Sequence, residues 1–444
     1  MSLLHFAVLS CKTEKAAAFS AVCIDKPLKI SIIRVYPKRG YFPVYSCDEI
    51  LTFVEQEDVK FIRLAFCDVA GHQKNIAILP SELPRAFADG ISFDASAIAG
   101  FGGNVHSDLF LHPDPATLAF LPWRPATGRV VRMYCDIRYP DGRPFERDGR
   151  HILRQAVRHA EEAGLTCHIG AEMEFYLFCT DENGEPTKKP FDRAGYCDIA
   201  PEDRCENVRR EICLTLLDMG IRPESSHHEE GPGQNEIDFR YNEPLRAADD
   251  TVTVRSVVRT IATRSGLWAD FSPKPLAGEA GSGMHINLSV SSADGVDRTA
   301  AFMAGILHHI PAMTAVLNPT ADSYRRLGEH KAPRYISWSP QNRSQLIRIP
   351  AAKGDFCRIE LRSPDPTANP YPAYALLIEA GLDGIRRGLV PAEAVDRDLF
   401  ADPHAADGLE TLPASLDEAV RAAAASALCR RVLPDGYTDS LIRP

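Results

Sequence analysis

The sequence predicts an α+β protein in two parts, a small unit and a larger one joined near residue 140. Short strand-like runs with an apolar back and a polar front recur along the chain. Amphipathic stretches that stop at glycine mark helices between them. The run Tyr-Pro-Asp-Gly-Arg-Pro at 139–144 reads as a linker.

Residues 1–45 form an extension to which no role is assigned, with one strand-like run at 29–36 before a Pro/Gly turn at 37–40. The small unit begins with a helix over 48–57. Strands follow at 61–66 and 74–79, joined through Ala70-Gly71, and then a second helix at 81–88 ended by Gly90. Ser92-Phe93-Asp94-Ala95-Ser96 reads as a loop holding an isolated aspartate. Short strands at 108–110, 118–121 and 130–135 complete the unit. Beyond the linker, helices are predicted at 151–162, 206–219, 251–264, 300–317 and 371–389. The third starts behind Asp249-Asp250, because acidic residues favour a helix N-terminus.

The strands between these helices carry the chemistry. In 170–178, Ala171, Met173, Phe175 and Leu177 point one way, while Glu172, Glu174 and Tyr176 point the other. Neighbouring carboxylates repel unless a cation lies between them, and carboxylate oxygens suit Mg²⁺ or Mn²⁺. A solvated outer strand explains this segment alone equally well. Three further segments repeat the design: Glu236, Asp238 and Arg240; His285, Asn287 and Ser289; Arg358, Glu360 and Arg362. A fifth run, 346–350, shows Arg348 alone. Fronts made almost purely of Glu, Asp, His, Asn and Arg favour a shared charged cavity over independent wet faces. Arg325, Arg326, Arg343, Arg348, Arg358 and Arg362 crowd one region, and their forks suit carboxylate and phosphate oxygens. Gly281-Ser282-Gly283 before His285 permits close backbone approach to a ligand, although taken alone the segment is better read as a plain strand-entry turn.

Composition narrows the function classes. A net charge of −10 and no Lys/Arg run argue against a nucleic-acid partner. No apolar run is read as membrane-spanning, and 1–10 is not read as a signal peptide, so no membrane partner is expected. The twelve cysteines never fall as C-x-x-C, and several, Cys213 and Cys357 among them, sit on predicted apolar faces. They read as reduced core residues of a cytoplasmic protein.

The chain from about 46 to 389 resembles glutamine synthetase of the bacterial type I class. The resemblance rests on dispersed motifs in order: Phe93-Asp94-Ala95-Ser96, Ala171-Glu172-Met173-Glu174, His227-His228-Glu229 through Gln234-Asn235-Glu236-Ile237, and Gly281-Ser282-Gly283-Met284-His285. They continue with Asn318-Pro319 through Leu327, Asn342-Arg343-Ser344 through Pro350, and Arg358 through Asp365. It implies a β-grasp domain over 46–138 and a catalytic domain over 146–444, the latter built on a curved antiparallel sheet flanked by helices. It also implies a homo-oligomer, a dodecamer of two hexameric rings, with active sites shared between neighbours.

Site roles follow by position. The resemblance implies that Glu174, Glu229 and Glu236 hold one metal and that Glu172, His285 and Glu360 hold a second near the phosphates of ATP. Arg326 and Arg362, with the Gly281 backbone, would bind glutamate. Arg343 and Arg348 would stabilise the transferring phosphoryl group. Arg348, Arg358, Asn287 and Ser289 would meet the nucleotide. Asp94 of a neighbouring subunit would bind ammonium and take its proton, and Asp108 matches a second acidic position. The activity implied is ATP-dependent ligation of ammonia to the γ-carboxylate of glutamate through γ-glutamyl phosphate. The residues agree with that chemistry, since phosphoryl transfer needs metals and cations around developing charge.

The chain also departs from the family. The loop 327–333 is shorter than the common form, and Lys331 stands where a glutamate usually precedes Ala-Pro. Ala280 replaces an asparagine, and Asn287 stands where a histidine is frequent. Glu329 is a candidate substitute for the missing carboxylate. Two other functions therefore remain open at this point: a γ-glutamyl ligase for an organic amine, and a non-catalytic paralogue that binds ATP or glutamate.

Overall fold

The structure is a computed structural model and describes residues 45–102, 107–125, 127–351 and 357–442. The strand expected at 29–36, the turn at 37–40 and nearly all of the N-terminal extension lie outside the described residues.

The chain enters through α1 (Cys47–Gln56), whose start is a capping box: Ser46 accepts from the Glu49 backbone and Glu49 reaches back to Ser46. Next come β1 (Val59–Cys67), β2 (Gln73–Ile78), α2 (Leu83–Ala88), β3 (Ile91–Asp94), β4 (Asp108–Pro113), β5 (Ala119–Phe120) and β6 (Arg129–Arg138). They form one mixed sheet in the order β2-β1-β6-β4-β3, with β5 paired to β6. β1 and β6 run parallel and the other pairs antiparallel. Asp94 is thus not in a loop. It ends β3, opposite Asp108 on β4, because Ile91 and Phe93 continue a strand alternation too short to stand out in the sequence.

The larger part opens with α3 (Gly149–Glu162), β7 (Leu165–Thr180), β8 (Pro186–Pro190), α4 (Glu206–Asp218), β9 (Pro223–His228), β10 (Gln234–Phe239) and α5 (Pro244–Arg264). It continues with β11 (Leu267–Asp270), β12 (Met284–Ser292), α6 (Thr299–Leu317), α7 (Ala321–Arg326), β13 (Trp338–Pro340), β14 (Ile347–Ile349) and β15 (Ile359–Leu361). It ends with α8 (Pro370–Arg387), α9 (Leu416–Ala425), α10 (Ala427–Val432) and α11 (Tyr437–Ile442). The nine strands form one sheet ordered β13-β14-β15-β12-β7-β10-β9, with β8 and β11 also on β7. Every pair is antiparallel except β13–β14, which is parallel. Helices α3 and α5 pack against β7, α6 against β12, and α6 and α3 both meet α8. The apolar backs of the strands, Met173, Phe175, Ile237, Ile286 and Ile359, are buried, so their fronts form the other, polar face.

Three expectations are corrected. Helix α5 starts at Pro244, capped by Glu243, and Asp249 and Asp250 lie buried inside it. They are tolerated there because Arg150 meets Asp249 at 3.1 Å and Arg246 meets Asp250 at 2.9 Å. Cys357 is exposed and Cys213 half-buried, so neither is a core residue. Helix α6 is long and apolar enough, by length and composition alone, to cross a membrane. Phe302, Ile306, Ile310 and Met313 are instead buried, and the helix packs against α8 and α9.

Candidate active site

Register aligns the polar fronts into rows. Glu172 on β7 lies opposite His285 on β12 and Asp238 on β10. One step along β7, Glu174 faces Glu236, which in turn faces His227 on β9. On the other side, Glu360 on β15 faces Asn287 on β12 and Arg348 on β14. The rows open into a cavity of about 410 Å³ that also admits Glu229, Glu230, Gly281, Arg326, Arg343 and Arg362. Asn287, Ser289 and Arg358 line a smaller adjoining pocket that shares Glu172, Asp238 and Arg358 with it.

The acids of the cavity divide by partner. His285 Nδ1 lies 3.0 Å from Glu172 Oε2, and Asn287 Nδ2 donates to Oε1 at 2.9 Å. Burial raises the Glu172 carboxyl, but these bonds and Arg362 outweigh it and hold it down to about 2. Glu174 receives the Gly283 backbone at 2.8 Å and Gln234 Nε2 at 3.0 Å. Burial and Glu229 still push it up. Glu236 is pushed well above the usual range by burial, Asp238 and Glu174. Glu360 is fully buried, with Arg348 Nη2 and Arg362 Nη1 each 2.5 Å from it.

Ligand atoms of Glu172, His285 and Glu360 lie within 4.8 Å of one another, as do those of His227, Glu229 and Glu236, and those of Glu172, Glu236 and Asp238. In the expected trio of Glu174, Glu229 and Glu236, His227 thus clusters with Glu229 and Glu236 in place of Glu174, which Gln234 and Gly283 engage. Buried carboxylates that raise one another through mutual repulsion are stabilised by a multivalent cation, so this donor set fits divalent metals.

The arginine side is equally built. Arg326 donates to Ser363 O at 2.7 Å and Arg362 O at 3.3 Å, and its buried Nε has no partner. The glycine run makes its place: a Cβ on Gly281 would sit 2.4 Å from Pro273 O, and one on Gly283 would sit 2.7 Å from Arg326 Nη2.

Two expected residues are not brought to the cavity. Glu329 is exposed, and Lys274 holds it at 2.8 Å outside the lining. Asp94 is exposed, and its Oδ1 accepts from Ser96 N and Oγ at 2.9 and 2.6 Å, which lowers its pKa. Lys331 does line the cavity, and its Nζ pairs with Glu230. Gln234, Glu230, Asp238 and His227, to which the sequence assigned no specific role, also line the cavity. Asp238 was visible on a polar front, and Gln234 shares that front two residues before Glu236, whereas Glu230 faces the cavity from the β9–β10 turn.

Comparison with known proteins bears on the same residues. The family description "Glutamine synthetase, catalytic domain" matches residues 146–443, and "Glutamine synthetase, beta-Grasp domain" matches 58–140. The chain is 44% identical over 407 residues to a glutamine synthetase of Clostridium saccharobutylicum, covering 88% of this chain and 92% of that one. It is 46% identical over 393 residues to one of Methanosarcina mazei, covering 84% and 87%. Among solved structures, a GmaS/ADP complex superposes with a TM-score of 0.80 at 30% identity, covering 88% of this chain and 93% of the other. A Plasmodium falciparum glutamine synthetase shares the fold, with a TM-score of 0.80 at 22% identity over 91% of this chain and 95% of that one. On these matches and on the sheet that carries the site, the chain belongs to the glutamine synthetase family.

Proposed function

We propose that the protein is a glutamate–ammonia ligase, forming glutamine from glutamate, ammonia and ATP through γ-glutamyl phosphate. The observation that carries this is the meeting of acidic rows and a rank of arginines in one cavity, the pairing that phosphoryl transfer to a carboxylate requires. Glu172, His285 and Glu360 would hold one divalent metal, and Glu229, Glu236 and Glu174, with His227 beside them, the other. Mg²⁺ or Mn²⁺ bound there would neutralise phosphate oxygens and so favour transfer.

The chain's own groups do the rest. Arg326 and Arg362 receive the carboxylates of glutamate beside the Gly281 backbone, and Arg343 and Arg348 face the charge that develops on the phosphoryl group. The small pocket of Asn287, Ser289 and Arg358 takes the nucleotide. Ammonium needs a carboxylate that both attracts it and removes a proton. Asp94 suits this role only from a neighbouring subunit, which supports a shared site in a homo-oligomer, and we place it in a dodecamer of two hexameric rings. Glu230 supplies a second negative charge at the mouth, where Glu329 does not reach. The division into a β-grasp domain over 46–138 and a catalytic domain over 146–444 belongs to the same reading, as does a cytoplasmic setting, supported by ten described cysteines that are all free thiols.

The complete set of metal-type ligands supports catalysis over a non-catalytic paralogue. Trapping with hydroxylamine tests the reading: γ-glutamyl hydroxamate should appear only when glutamate, ATP and a divalent metal are all present. ATP hydrolysis without hydroxamate would refute it.

A further inference from the structure

A second arginine cluster lies away from the catalytic cavity. Between β1, β2 and β6 of the small sheet and α5 of the large part is a cleft of about 530 Å³. Arg63, Arg124, Arg132, Arg255 and Arg259 line it together with His72, and among the described residues no aspartate or glutamate does.

Two of these arginines are deeply buried. Arg132 is 5% exposed and Arg255 7%. Arg132 donates to Thr253 Oγ1 at 2.7 Å and lies 4.0 Å over the Tyr134 ring, but its Nε has no partner. Arg255 donates to Pro366 O at 3.1 Å, and its Nη2 has no partner. Arg259, which reaches solvent, lies over the Phe271 ring at 5.0 Å.

The nearby acids are already engaged. Asp249 pairs with Arg150, Asp250 with Arg246, Asp68 with Lys74 and Asp270 with Lys188. Burial accordingly lowers the pKa of Arg255 and of Arg259. Guanidinium groups withdrawn from water without a counter-ion cost free energy that an anion in the cleft would recover. A single carboxylate offers one charge and two oxygens to this cluster. A phosphate group offers nearly two charges and at least three acceptor oxygens, the better match to several forks.

We propose that this cleft is an anion-binding site for a phosphate group, with Arg132 and Arg255 as its inner cations and Arg259 at its solvent-facing rim. Free phosphate and a phosphate ester share that chemistry. The occupant would touch the catalytic half directly, because Pro366 and Thr367 in the wall follow Arg362 by a few residues and Thr367 binds Asp365.

The test is calorimetric titration of the full chain with inorganic phosphate and, separately, with a hexose phosphate. Arg255→Met and Arg259→Met are compared with the unmodified chain. Arg259→Met keeps the test valid where the buried change disturbs folding, since Arg259 is at the surface. The proposal expects a phosphate-binding class that weakens at least tenfold in Arg259→Met, with hydroxamate formation in phosphate-free buffer within twofold of the unmodified chain. Binding of both probes identifies a site open to esters, and binding of inorganic phosphate alone a closed one. Titrations that are the same in Arg259→Met and the unmodified chain, or no binding of either probe, overturn it.

Discussion

His285 lies directly across from Glu172 in the β12–β7 register, with Nδ1 3.0 Å from Oε2, while its Nε2 faces Glu174 Oε1 at 3.7 Å. One imidazole therefore stands between the two carboxylates that a period-two reading of β7 puts on a single face. Without a cation this arrangement relies on the ring and on Asn287 to offset the charge.

The first prediction follows from that pair. Glu172→Gln preserves shape and removes one charged ligand. Mn²⁺ affinity should fall by about 10–100-fold or more, with the circular dichroism spectrum unchanged. Water-proton relaxation reads the binding directly. Unaltered Mn²⁺ binding would remove Glu172 from the metal site.

Lys331 pairs with Glu230, and both line the cavity in which the proposed reaction takes up ammonium. Two like charges at 4 Å repel by about 1 kcal/mol in water and by about 4 kcal/mol at an effective dielectric near 20. Lys331→Glu should therefore lower the apparent Michaelis constant for ammonium and leave that for ATP unchanged. If ammonium dependence is unaffected and Glu329→Ala abolishes it, the loop acts through Glu329 and Lys331 is a bystander.

Asp94 is exposed and does not line the cavity of its own chain. Asp94→Ala and Arg343→Ala subunits, each inactive alone, should regain partial activity when mixed, because hybrid interfaces unite one intact half from each. Mixed oligomers shown by native mass spectrometry to form, yet remaining inactive, would place Asp94 outside the shared site.

Behind Glu229, the fully buried His228 lies 2.8 Å from Asp192 through Nε2 and 2.7 Å from the Glu229 carbonyl through Nδ1. Burial lowers the His228 pKa, but the bond to Asp192 outweighs it and the net shift is upward. A raised folded-state pKa gives stability that is fully present below the unfolded value, about 6.5, and is lost as pH rises through the folded one. Asp192→Asn should cost about 2 kcal/mol at pH 6. That deficit should shrink toward pH 9 in denaturant unfolding. A deficit constant across this range would mean that His228 is not charged in the pair.

Much of this site was legible because strands expose it by simple alternation. Glu172, Glu174, His285 and Glu360 each follow a buried apolar residue, and Glu236 precedes one, Ile237, so the opposite face is fixed in every case. What alternation cannot report is the partner across a register. Glu360 reads in sequence as one front residue beside Arg358 and Arg362, yet it also holds Arg348, because β14 and β15 pair. Asp249 and Asp250 misled for the converse reason. Local preference placed them at a helix start, whereas Arg150, distant in sequence, and Arg246, one turn earlier in α5, offset their burial inside the helix. The short β3 and the helices after residue 390 lacked a long enough period to be read, and Glu230 reaches the cavity through a turn that no periodicity describes.

The central claim is that this cavity joins ammonia to glutamate. Its most direct test is mass spectrometry of the products from glutamate, ATP, Mg²⁺ and ¹⁵N-ammonium. The account predicts glutamine labelled at the amide nitrogen, with ADP and phosphate formed in equal amount. Labelled glutamine absent while a γ-glutamyl amide forms from an added organic amine, or ATP left intact, would contradict it.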